Sequence, residues 1–278
     1  MAKAVTSFIK RRQTNTLVLL IAGIALLLFY HFFGFRFPRI TFVSGWVLLL
    51  LMVLLTAYNG RKKLPFLPMA SSETWLQIHI YAGLLAALVF GVHLRFRLPT
   101  GVFESWLALL FVLVTLSGIG GLWLSRVLPK RLTSTGQEVI FERIPFERRA
   151  LQEKARKIAV DSVGKTKATT IADFYTAELD AFFTRPRYLL EHLAGSDIKF
   201  SRLLRHTVEL NRFLGENGRA EMEQIIQLLH AKHRLDHHYS LQLALKLWLF
   251  IHIPLTYGLL VFSALHVALV YAFSSAAG

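Results

Sequence analysis

Apolar residues along this chain fall into five long, unbroken blocks separated by polar stretches. They run approximately from Leu17 to Phe35, Phe42 to Tyr58, Trp75 to Leu94, Val102 to Leu124 and Leu247 to Phe273. Each is close to the roughly twenty residues that a helix needs to cross a hydrocarbon layer of about 30 Å. The pattern predicts an all-α fold, an integral membrane helical bundle of five transmembrane helices. Between the fourth and fifth blocks lies a polar insert whose own periodicity is helical. Met222, Ile225, Ile226 and Leu229 fall at i, i+3, i+4 and i+7, and Leu151, Ala155 and Ile158 share a face in the same way. Pro186 and the glycines Gly164, Gly195 and Gly215 mark breaks, which predicts three to five helices in the insert. The chain therefore divides into residues 1–128, carrying transmembrane helices one to four, residues 129–243, a helical cytoplasmic insert, and residues 244–278, the fifth helix. The loops joining the first four helices are short and hold Pro38, Pro65, Pro68 and Pro99.

The first block follows the basic run Lys10, Arg11, Arg12, as the apolar part of a signal peptide would. It is longer than that part usually is, and no small-residue cleavage site follows, so it is read as a retained helix. Basic residues orient the remainder. Lys10, Arg11, Arg12, Arg61, Lys62, Lys63, Arg126, Lys130, Arg131 and Lys246 fall on one side of a five-span arrangement, against Arg36, Arg39, Arg95 and Arg97 on the other. The richer side is expected to be cytoplasmic, which places the N-terminus inside, the short C-terminal tail outside and the protein in a bacterial inner membrane.

A formal charge of +15 raises the question of nucleic acid. The insert, however, carries 19 Lys and Arg against 15 Asp and Glu, so most of the excess lies at the N-terminus and beside the apolar blocks. There it meets anionic headgroups, and nucleic acid is not an expected partner. Cysteine is absent. Disulfides, thiolate metal sites, cysteine-ligated iron–sulfur clusters and covalent c-type haem attachment are thereby excluded from this chain.

Four histidines carry the candidate chemistry. His79 and His93 stand 14 residues apart in the third block, and His252 and His266 stand 14 apart in the fifth. Fourteen residues of helix come within about 40° of four full turns and rise about 21 Å, so each pair shares a face and spans most of a bilayer. With both helices running from inside to outside, His79 is expected to face His252 and His93 to face His266. One imidazole from each of two parallel helices at each of two levels is the arrangement that two bis-histidine b-type haems require. A single intramembrane histidine is more often an interhelical hydrogen-bond donor, but the matched spacing on two helices favours metal ligation. A proton relay would call for acidic partners, and the blocks offer only Glu104, near an end.

Ser117, Gly118, Gly120 and Gly121 in the fourth block, with Gly83, Gly91 and Gly258 on the ligand helices, would leave room for a flat macrocycle. Gly118 and Gly121 are the cofactor-contact candidates among them, and close helix packing is the competing account. Arg95 and Arg97 suit the propionates of an outer haem, and Lys246, with Arg61 or Arg126, those of an inner one. Headgroup snorkelling explains each residue singly as well. Pro254, two residues after His252, is placed to kink the fifth helix.

On these histidines the chain resembles the di-haem membrane cytochromes. The ferric reductase and NADPH oxidase superfamily places paired histidines on its third and fifth helices, matched here by His79, His93, His252 and His266. Cytochrome b of the bc complexes is similar in its 14-residue spacing on two parallel helices. The resemblance covers a little under half of the chain and implies two haem b groups, an electron-transfer role and a redox partner on at least one face. Only a few residues follow Phe273, so no flavin or nicotinamide domain is expected here, and the insert shows no Gly-rich phosphate loop.

The other histidines carry weaker signals. His230, His233 and His237 lie on one helical face with Asp236 adjacent, a spacing a metal can use, but a solvated or headgroup-facing surface is the expected state. His31 is a weaker candidate for a quinone or propionate contact, and His192 and His206 stand out in no pattern. The expected function is a membrane cytochrome carrying electrons across the bilayer between a quinone or redox-protein partner and an acceptor. The alternatives are a haem-containing anchor or assembly subunit of a larger complex and, behind it, a proton or cation transporter with a histidine relay.

Overall fold

All regular structure among the described residues is helical. The computed structural model describes the backbone of residues 2–33, 39–61, 71–134, 139–166 and 169–274, and the side chains of a few fewer at the ends of these stretches. The sequence expectations that fall on Arg36, Pro38, Lys62, Lys63, Pro65 and Pro68, and on the side chains of Lys10, Arg11, Arg12 and Arg61, lie outside the described residues. In chain order the helices are α1 (Ala2–Phe33), α2 (Ile40–Arg61), α3 (Ser72–His93), α4 (Val102–Ser134), α5 (Ile144–Thr166), α6 (Thr170–Phe174), α7 (Asp180–Thr184), α8 (Leu189–Ala194), α9 (Ile198–Arg212) and α10 (Glu216–Ser274). A short 3-10 turn, Phe141–Arg143, precedes α5, and a π turn, Tyr175–Leu179, joins α6 to α7.

Five of these helices contain stretches long and apolar enough to cross a membrane: Gln13–Phe32, Ile40–Tyr58, Glu73–His93, Val102–Leu132 and part of Glu216–Phe273. The chain forms two compact units, Met1–Leu122 with Leu249–Gly278, and Trp123–Trp248.

In the first unit α2 packs along α3. Leu48 and Met52 meet Ala86 and Val89, and Phe111 and Leu259 complete the buried cluster. Phe90 stacks on Phe111 with ring centres 4.0 Å apart. α1 joins α3 through polar groups, Asn15 donating to Gln77 at 3.0 Å and Thr16 bonding Tyr81 at 3.0 Å. Most of the remaining apolar surface faces outward, including Leu50 at 69%, Trp106 at 67% and Val261 at 67% exposure.

Helix ends in this unit have local causes. Ser71 caps α3 by accepting from the Thr74 amide. At the other end Arg95 and Phe96 both adopt left-handed backbone, at φ 51° and 53°. That conformation ends the helix one residue beyond His93 and turns the Phe96 amide back onto the Gly91 carbonyl at 2.9 Å. The Phe96 ring lies where a Gly91 Cβ would stand, 2.7 Å from that position, so the glycine is required by the turn.

The second unit is built on the two periodic faces seen in the sequence. Met222, Ile225 and Leu229 of α10 and Ala155 of α5 are fully buried, packed with Ile171, Tyr175, Leu179, Phe182, Phe183 and Phe200. Leu151, Ile158 and Ile226 pack against the same cluster. The π turn itself supplies Tyr175 and Leu179 to this core, and the helices flanking it supply Ile171, Phe182 and Phe183. Burial, reinforced by Asp180, pushes the Tyr175 phenol up to about 12.

The face of His230, His233 and His237, expected to be solvated, is so only in part: His230 is exposed, His233 and His237 are half-buried, and beside them Lys232, Asp236 and His238 are 0%, 1% and 2% exposed. The cause is a buried ion pair. Lys232 and Asp236, one turn apart, bond each other, and the lysine also donates to the Arg185 carbonyl at 2.7 Å while Asp236 accepts from the Arg187 amide at 3.0 Å. Together they fix the non-helical segment between α7 and α8. Desolvation dominates both groups, lowering Lys232 to about 8 and raising Asp236. His192, unassigned in the sequence, is also buried, and burial next to His233 and His237 lowers it to about 4.

Candidate cofactor site

Histidines 14 residues apart share a helical face only if nothing interrupts the helix between them, and both α3 and α10 run unbroken through their pairs. α10 continues past Pro254, with Thr256 bonding back to the His252 carbonyl at 2.8 Å. All four rings are partly buried.

His93 of α3 faces His266 of α10 with ring centres 6.4 Å apart and planes at 87°. His79 and His252 lie within electrostatic reach of each other at the other level. Two imidazoles bound on opposite sides of one metal ion at about 2 Å each hold their ring centres roughly 6 Å apart. The His93–His266 separation matches that requirement.

The ring nitrogens are oriented by a third helix. His93 Nδ1 lies 2.9 Å from the Thr41 carbonyl oxygen and His79 Nδ1 lies 3.2 Å from the Leu55 carbonyl oxygen, both on α2. A carbonyl oxygen only accepts, so in each case Nδ1 carries the hydrogen and the Nε2 lone pair is left for coordination. His252 Nδ1 is 3.2 Å from the Ser117 hydroxyl on α4. A second-shell acceptor on the non-ligating nitrogen is the usual accompaniment of a metal-binding histidine. The tautomers of His79 and His93 therefore leave one nitrogen of each for a metal, and Ser117, which can donate or accept, orients His252 without fixing its tautomer.

Glycines back two of these rings. A Cβ on Gly118 would stand 3.7 Å from His252 Cε1, and one on Gly45 would stand 3.0 Å from His93 Cε1. Gly121 is buried, Gly120 is exposed with nothing within 4 Å of a built Cβ, Gly258 is equally uncrowded, and a Cβ on Gly83 would meet Leu55 Cδ2 at an ordinary 3.9 Å. Tyr58 lies 5.2 Å from His79 and Phe103 stacks at 6.2 Å on His266, ring centre to ring centre.

Of the basic candidates, Arg95 belongs to the His93 level. Its Nε donates at 3.0 Å to the hydroxyl of Thr41, the residue whose carbonyl holds His93. Arg97 is exposed. Lys246 is engaged within the second unit, 2.6 Å from Glu142 and 3.9 Å above the Phe141 ring. His31 is exposed beside Phe32.

Thr41, Leu55 and Gly45 escaped the sequence reading. The first two act through main-chain oxygens and leave no side-chain signature, whereas a lone glycine within the apolar run of α2 was a legible signal. Comparison with protein-family models, curated proteins and solved structures finds no match.

Proposed function

We propose that this chain is a membrane di-haem cytochrome b, carrying electrons between a quinone or redox-protein partner on one face of the bilayer and an acceptor on the other. In this reading the five apolar helices span a bacterial inner membrane with the N-terminus and the insert in the cytoplasm. The outward-facing apolar side chains of the first unit support insertion, because a contiguous surface of that kind in water is an aggregation liability. The observation that carries the reading is the His93–His266 pair, 6.4 Å apart, with the hydrogen of His93 committed to Thr41 and its other nitrogen left for a metal.

Haem b held by two imidazoles supplies one-electron transfer at an iron with both axial positions filled. The chain's own residues do the rest. His93 and His266 would hold one group, His79 and His252 the other. The Thr41, Leu55 and Ser117 oxygens fix three of the four ring orientations. Arg95 offers a cation beside the His93 level for a propionate. With no cysteine in the chain, a further redox centre such as an iron–sulfur cluster has to come from a partner. The likeness to the ferric reductase and NADPH oxidase membrane domain and to cytochrome b belongs to this proposal and rests on the same four histidines.

The test is a dithionite-reduced minus oxidised spectrum of the chain purified from a haem-replete host. The expected result is b-type bands with two haems per chain. His79→Ala and His252→Ala should each deplete one haem, and His93→Ala and His266→Ala the other. A colourless wild-type chain overturns the proposal, and His79→Ala and His93→Ala depleting the same haem overturns the pairing.

A further inference from the structure

A second cluster of histidines lies within the unit Trp123–Trp248. α8 is a single short helix bounded by two left-handed residues, Tyr188 at φ 59° and Gly195 at φ 73°. It delivers His192, 1% exposed, to the flank of α10, and neither ring nitrogen of His192 has a hydrogen-bond partner among the described residues. A buried polar group left unsatisfied is costly, so a polar ligand is expected to meet this ring.

The neighbouring groups have the chemistry to share one. His233 of α10 lies with its ring centre 4.8 Å from that of His192, and its Nε2 is 3.1 Å from Asp197 Oδ1, just before α9. His192, Asp197 and His233 each offer one ligand atom, and the three atoms lie within 4.8 Å of one another. His237 follows His233 by one turn on the same face. Its ring centre is 5.5 Å from that of His192, and its buried Nδ1 has no partner among the described residues. Phe200 stacks on His233 at 3.7 Å and 9°, which holds that ring in place. The nearby cations have partners of their own: Lys232 pairs with Asp236, and Arg131 donates to the Leu193 carbonyl at 2.8 Å.

We propose that His192, Asp197, His233 and His237 bind a divalent transition metal of the zinc class. Imidazole with one carboxylate suits zinc, cobalt or nickel, whereas calcium and magnesium call for more oxygen ligands. Two histidines at i and i+4 on one helix are a recurrent half of such a site. Ligand atoms about 2.1 Å from a tetrahedral ion stand roughly 3.4 Å apart, so His192, Asp197 and His233, whose ligand atoms lie within 4.8 Å of one another, close by up to about 1.4 Å on binding, and the His237 ring turns in as the fourth ligand. Asp197, with its side chain 65% exposed, is the member free to move. Four protein ligands leave no open position, which makes the role structural, tying α8 and the start of α9 to α10. The site is independent of the haem proposal.

The full chain, purified in detergent through a tag without histidine and stripped with a chelator, is titrated with Zn²⁺ by calorimetry and its metal content measured by elemental analysis. The His93→Ala background is included so that uptake at the α3–α10 histidines is read separately. One equivalent of Zn²⁺ per chain is expected, bound at least tenfold more weakly in Asp197→Asn, lost in His192→Gln and unchanged in the exposed control His206→Gln. Should His192→Gln lose helical content by circular dichroism, Asp197→Asn decides, since its side chain is at the surface. No saturable uptake by the wild type, or uptake that Asp197→Asn leaves unchanged, overturns the proposal.

Discussion

Replacing Gly45 with alanine puts one methyl group against the ring of His93. The built Cβ stands 3.0 Å from His93 Cε1 and 3.3 Å from Nδ1, where optimal carbon contacts lie at about 3.5–4.0 Å. The ring has to retreat by about half an ångström, and its hydrogen bond of 2.9 Å to the Thr41 carbonyl resists that movement. Overpacking on this scale costs about 1–3 kcal/mol, or roughly 5- to 150-fold in affinity for a group ligated by His93. Alanine is also the better helix former by up to about 1 kcal/mol, so a weakened α2 would not account for any loss. On the proposed di-haem reading, haem per chain, read by the pyridine haemochrome assay after growth in limiting haem, should fall from two toward one in Gly45→Ala. Gly118→Ala, whose Cβ meets His252 at an ordinary 3.7 Å, and Gly120→Ala, with nothing within 4 Å, should keep both. Two full haems in Gly45→Ala, or equal losses in all three variants, would refute the steric reasoning.

Further outcomes follow from other contacts. Ser117→Ala removes the hydroxyl on His252 Nδ1, and losing such a partner typically lowers metal-site affinity about 10- to 100-fold; Thr41→Ser, which keeps both the carbonyl that holds His93 and the hydroxyl that takes Arg95, should leave haem content unchanged, and the reverse order would argue against these anchors. Asp236→Asn leaves Lys232 buried without its counter-charge and should destabilise the second unit by about 3–5 kcal/mol, seen as a lower midpoint in denaturant. Tyr175, 4% exposed and pushed up to about 12, holds its proton more tightly folded than unfolded. Its contribution, about 2–3 kcal/mol, is complete below pH 10 and lost as pH rises from 10 toward 12. Thermal melts of Tyr175→Phe should therefore fall less steeply than wild type across that window, and parallel curves would count against it.

What the sequence made legible was whatever repeats along a helix. The faces through Met222, Ile225 and Leu229 and through Ala155 are at the core of the second unit because a 3.6-residue period admits no other use for them. The 14-residue spacing of the histidines likewise carried them to matching levels. Contacts between distant segments were not legible. Thr41 and His93 meet across 52 residues through a main-chain oxygen that any residue would supply. His192 looked ordinary because its neighbours, His233 and His237, lie some forty residues on and face it only once Tyr188 and Gly195 have turned α8. The burial of Lys232 and Asp236 was not legible for a related reason: a charged pair at i, i+4 has the same sequence whether water or a loop backbone receives it. Here the carbonyl of Arg185 and the amide of Arg187 do.

The three histidine anchors differ in what mutation can reach. His79 and His93 are steered by peptide oxygens, which persist whatever side chain occupies positions 55 and 41. His252 is steered by a hydroxyl that a single codon change can delete, lengthen or make more acidic. One level of the bundle is thus buffered against genetic drift while the other carries a tuning screw on α4. Natural variants or designed ones could retune the His79–His252 level at position 117 alone, leaving all four imidazoles in place.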